Sequence, residues 1–91
     1  MPNGSPKRVD LNQAEIIAAL RAAGAVVWDC HCLGHGYPDL TISYHGHNHL
    51  IEVKGPKGRL TAAEQKFIDV WDAPVHVVRT VEEAIEVLRC G

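Results

Sequence analysis

Two periods of hydrophobic and polar residues alternate along this chain, and the switches between them mark its elements. In "DLNQAEIIAALRAAGA" alanine and leucine dominate, and Leu20 follows Ile16 by four residues and Ile17 by three. That spacing predicts a first helix over roughly residues 11–23, closed by Gly24. "AVVWDCHC" is β-branched and aromatic and reads as a strand, which the glycines and proline of "LGHGYP" interrupt. "DLTISYH" and "HLIEVKG" alternate with a period of two, and "HGHN" between them supplies turn residues, so the two segments predict a hairpin. After the loop "GPKGR", the segment "TAAEQKFIDVWD" opens with Thr61 three residues before Glu64, a capping-box signature for a second helix. "PVHVVR" reads as a short strand. "TVEEAIEVLR" repeats the capping signature with Thr80 and Glu83, then gathers Ala84, Ile85, Val87 and Leu88 on one broad helical face.

The predicted order is therefore αβββαβα: an α/β fold with a mixed four-stranded sheet flanked by helices, containing one antiparallel hairpin and one right-handed strand–helix–strand crossover. Residues 1–9 lack periodicity and read as a flexible lead-in, and residues 10–91 as a single domain. A chain of 91 residues with 46% hydrophobic content has no room for a second core.

Charge narrows the function classes. A formal net charge of −2 argues against simple coating of nucleic acid. Its distribution is more informative, because Lys54, Lys57, Arg59 and Lys66 face Glu64 alone between positions 54 and 66, a local basic patch. The three cysteines and the absence of a signal-peptide pattern lead us to expect a reduced, cytoplasmic setting. No apolar run approaches the roughly 20 residues that a bilayer-spanning helix needs, so no membrane partner is expected.

The chemistry concentrates in "GYPDLTISYHGHNHLIEVKG". Glu52 and Lys54 lie two apart on a strand and leave the same face. Asp39 begins the neighbouring strand, where its carboxylate can approach Glu52 across the pair. Two adjacent carboxylates call for a cation, and a hard ion such as Mg²⁺ takes one or two carboxylates and keeps several waters. The Val53 carbonyl, between Glu52 and Lys54, offers a further oxygen ligand. Lys54 itself suits stabilising charge on a phosphate or helping to deprotonate an attacking water. Such a set fits metal-assisted hydrolysis of a phosphodiester.

Pro38-Asp39 followed by Glu52-Val53-Lys54 resembles the PD-(D/E)XK nuclease motif on the restriction-endonuclease-like core. With "NQAEIIAALRAAGAVVW", "GYPDLTI", "HLIEVKG", "LTAAEQKFIDVW" and "PVHVVRTVEEAIEVL", residues 10–89 are similar to the short VRR-NUC type of phage and prophage nuclease domain. The resemblance implies Mg²⁺ or Mn²⁺ as cofactor, with Glu15 of the first helix completing the metal site. It also implies that Gln65 lies beside Lys54, orienting water or phosphate. Lys57, Arg59 and Lys66 are expected to hold phosphates, and Tyr37 to meet the substrate. A homodimer acting on branched DNA, Holliday junctions foremost, in the cytoplasm of a bacterial host follows on the same grounds.

Other groups read more plainly. Cys30, Cys32 and His35, and the cluster His45, His47 and His49, invite a zinc reading, but their spacing departs from the usual paired sets. Trp28, Phe67 and Trp71 fit core or interface positions better than base-stacking ones. The competing functional class is a non-catalytic nucleic-acid-binding or protein-interaction module on the same fold.

Overall fold

In the computed structural model, residues 8–90 are described, with the side chains of residues 12–89. Most of the segment read as a lead-in lies outside the described residues, although Arg8 and Val9 already belong to the first helix. The chain runs α1 (Arg8–Ala22), β1 (Val26–Asp29), a short 3₁₀ turn (His31–Leu33), β2 (Leu40–Tyr44), β3 (His47–Val53), α2 (Ala62–Val70), β4 (Val75–Val78) and α3 (Val81–Cys90). The sheet order is β1-β2-β3-β4, antiparallel between the first three strands and parallel between β3 and β4. This is the mixed, helix-flanked sheet of a restriction-endonuclease-like core, as the element order predicts.

Local chemistry explains the turns. Tyr44 pairs with His47, leaving His45 and Gly46 as a two-residue hairpin loop with φ of 50° and 84°. Positive φ at both positions is the twist that two-residue loops favour. Helix α2 starts with a full capping box: Thr61 Oγ1 accepts from the Glu64 amide at 3.1 Å, and Glu64 Oε1 accepts from the Thr61 amide at 2.8 Å. At α3 the Glu83 amide donates to Thr80 Oγ1, but the Glu83 carboxylate reaches back one residue further, to the Arg79 amide.

The two sheet faces differ. Ile16 and Leu20 of α1, Ala84, Val87 and Leu88 of α3, and Leu40, Ile42, Ile51, Val53 and Val78 of the sheet form one core. Strand alternation therefore turns Thr41, Leu50 and Glu52 to the opposite face. There α2 contributes no fully buried residue, and that face stays partly open. Trp28 is not a core residue: it is 72% exposed on β1, because its neighbour Val27 takes the core-facing position.

Two side chains brace the ends of the sheet. Asn12 Nδ2 donates to the carbonyls of both Lys54 and Arg79, tying α1 to the exits of the parallel strands. The Arg79 guanidinium donates to the carbonyls of Gly55 and Gly58, each at 2.6 Å, and so holds the loop that carries Lys57.

Candidate active site

Asp39, Glu52 and Lys54 converge on the partly open face. The Val53 amide donates to Asp39 Oδ2 at 2.9 Å, which fixes the aspartate across the β2–β3 pair. Glu52 is 2% exposed and is the one buried charged side chain among the described residues. Burial pushes its carboxyl up to about 9, with the charges and hydrogen bonds of Asp39 and Glu64 acting in the same direction. Lys54 Nζ lies 3.5 Å from Glu52 Oε2.

The strongest contact to Lys54 comes from Glu64, whose Oε1 accepts from Nζ at 2.6 Å. Burial alone would lower the lysine, but Glu64 and then Glu52 outweigh it and raise its pKa above the ordinary 10.5. At neutral pH Lys54 is therefore an ammonium with no lone pair to accept a proton. Burial likewise opposes ionisation of Glu64, yet Lys54 and the Thr61 amide hold it below the ordinary 4.5. One carboxylate oxygen thus closes the α2 capping box and clamps the lysine.

The Gln65 side chain bonds along its own helix. Its amide donates to Asp69 Oδ1 at 2.9 Å on the exposed side of α2, and Glu64, one residue earlier, takes the place beside Lys54. The capping box is the reason: it turns position 64 back toward the helix start, and position 65 then points away along the helix. Glu15 is exposed on α1, and no hydrogen bond or ion pair joins it to Asp39, Glu52 or Lys54. Lys57, Arg59 and Lys66 are exposed around the same end, the first two on the Arg79-braced loop and its continuation.

Tyr37 reaches the site through the glycine-rich turn before Asp39. Its hydroxyl shares a hydrogen bond with that of Thr41 at 3.3 Å, and its ring meets Phe67 edge-on at 5.3 Å. Gly36, with φ of 82°, packs against the backbone of Ala63, so a Cβ there would overlap the Ala63 carbonyl. The loop that delivers Asp39 and the start of α2 that delivers Glu64 are thereby packed backbone to backbone.

The donor set fits a hard divalent ion. Among the described residues no three His, Cys, Asp or Glu side chains are arranged as a ready ligand group. Two adjacent carboxylates, one with its carboxyl pushed up by burial and by the neighbouring acids, match an ion that keeps most of its own water. Two of the sulfur and imidazole groups are engaged elsewhere: Cys30 Sγ approaches the Trp28 carbonyl and Thr41 Oγ1, and His31 Nδ1 lies 2.7 Å from Asp29 Oδ1.

No curated protein and no solved structure matches this chain. A family model does: the VRR-NUC domain is found over residues 3–79, which takes in every described element from α1 through β4. With the acids and lysine of its central hairpin gathered on one face, the chain belongs to the VRR-NUC domain family, within the PD-(D/E)XK nuclease superfamily.

Proposed function

We propose that this nuclease domain is a metal-dependent DNA endonuclease that hydrolyses phosphodiester bonds. The observation that carries the reading is the buried Glu52 beside Asp39, with Lys54 as a fixed ammonium 3.5 Å away. A solvated hairpin would not bury an acid whose carboxyl is driven up to about 9. Asp39 and Glu52, with the Val53 carbonyl, would hold Mg²⁺ or Mn²⁺, which when bound polarises a phosphoryl oxygen and makes water more acidic.

The chain's own residues have definable tasks. Val53 keeps Asp39 in place through its amide. Lys54, held by Glu64, offers its protons to a phosphate oxygen and neutralises charge developing there, rather than serving as a base. Lys57, Arg59 and Lys66 contact flanking phosphates without reading sequence. Glu15, exposed on α1, would complete the metal site. Gln65, exposed on α2, would orient water or a phosphate.

Branched DNA, including four-way junctions, is the favoured substrate class, cut by a homodimer. Dimerisation enlarges the small grip of a 91-residue chain, since single DNA-binding modules bury roughly 600–1,000 Å². The test is cleavage of a labelled four-way junction, a flap and a linear duplex in Mg²⁺, Mn²⁺ or EDTA. Wild type is expected to cut only with metal, and Glu52→Ala and Lys54→Ala to lose activity by 100-fold or more, in the order of magnitude found for electrostatic groups. Cutting by Glu52→Ala, or by wild type in EDTA, would overturn the assignment.

A further inference from the structure

A cavity of about 570 Å³ opens beside the acids, lined by Tyr37, Thr41, Asn48, Leu50 and Trp71 among others. Thr41 and Leu50 pair across β2 and β3, and each lies two residues along its strand from Asp39 and Glu52, respectively. Alternation puts these four positions on one sheet face, so the cavity begins one row from the acids. Two rings, Tyr37 and Trp71, stand in its wall, and Phe67, outside the lining, touches both. Phe67 stacks on Trp71 at 4.9 Å and 21°, and Tyr37 meets Phe67 edge-on.

Packing does not consume this wall. Trp71 keeps 43% of its surface exposed although Phe67 lies against it. Asn48, which also lines the cavity, lies two residues from Leu50 along β3 and so presents its amide to the same face. The amide of Asn48 can both donate and accept. A flat ligand with an apolar face and a hydrogen-bonding edge matches both features.

We propose that this cavity receives an unpaired nucleobase next to the scissile phosphate, stacked on Trp71 with its polar edge toward Asn48. The inference rests on the nuclease reading of the adjacent acids and deepens it. A base can enter only when it is free of its duplex partner, and unstacking is least costly at branches, bulges and ends. The site therefore supplies a physical source for structure selectivity.

Binding to a duplex carrying a single 2-aminopurine bulge, the same bulge with an abasic residue, and a perfect duplex tests this, in EDTA and in Ca²⁺. Wild type should bind the base-containing bulge about tenfold more tightly than the abasic one, as one aromatic–base stack allows, and 2-aminopurine emission should change on binding. Trp71→Ala should abolish the base-over-abasic difference, and Trp71→Phe should retain most of it. Because the wild-type comparison needs no variant, poor folding of Trp71→Ala leaves the proposal exposed to failure.

Equal affinity for base and abasic bulges, in a wild type that still cuts DNA in Mg²⁺, overturns the base site and spares the nuclease assignment. A protein that neither binds nor cuts any DNA sinks both. Conversion of a dimer to a monomer by Trp71→Ala, with the base preference intact, reassigns the cavity to a subunit interface.

Discussion

Glu52 shows how far one side chain can be displaced from its ordinary chemistry. With its carboxyl at about 9 in the fold and near 4.5 in the open chain, the native state binds the extra proton between those values. Stability must then fall as pH rises through that window. Lys54, raised above 10.5, and Glu64, lowered below 4.5, act outside it, and lowered His49 acts in the opposite sense only near and below 6.5. Between pH 7.5 and 9, in EDTA, the melting temperature of wild type is expected to drop, by up to about 1.4 kcal/mol of stability per pH unit. Glu52→Gln should melt higher than wild type at pH 8 and show a much flatter slope. An unchanged slope in thermal melts of the variant would show that another group carries the dependence. Asp39, Glu52 and Lys54 were all legible in the sequence, because strand alternation fixes their common face. The burial of Glu52 was not, since it depends on α2 lying over the hairpin.

Helix α2 links stability to the site through a single residue. Thr61 and Glu64 are readable as a capping box from spacing alone, yet the same spacing does not tell that Glu64 Oε1 also receives Lys54. That contact needs Lys54 and the helix start brought together, a long-range fact fixed by Gly36 against Ala63. The resemblance implies that a helix residue accompanies the lysine, and the cap geometry brings Glu64 to it. Glu64→Gln keeps an oxygen acceptor for the Thr61 amide, whereas Glu64→Ala removes it. We expect Glu64→Ala to cost about 1 kcal/mol, or about 4–8 °C in a domain of this size, and Glu64→Gln to melt within a few degrees of wild type. Both should lower the Lys54 pKa, which NMR titration of the labelled lysine can read. If Glu64→Gln melts as low as Glu64→Ala, the ion pair and not the cap is what stabilises the helix start.

At the scale of the whole molecule the element order, the mixed sheet and the covered face follow from period and capping, because those signals are local. The open face does not follow from them. Trp28 reads as a core or interface residue by type, and which face of β1 is buried was settled only when α1 and α3 both packed on the Val27 side. Val26 and Trp28, 64% and 72% exposed on an edge strand, leave an apolar strip of the kind that subunit contacts cover. Light scattering at micromolar concentration is expected to give about twice the 10.0 kDa chain mass, and Trp28→Glu to give a monomer. A monomeric wild type would remove the dimer from the account. Arg79, with its grip on Gly55 and Gly58, bears on association itself. A cationic loop held in one shape before contact sacrifices little conformational entropy on meeting a phosphate backbone. Encounter should then be governed by charge and ionic strength rather than by loop folding, and an untethered loop would show its loss as slower capture and a less favourable binding entropy.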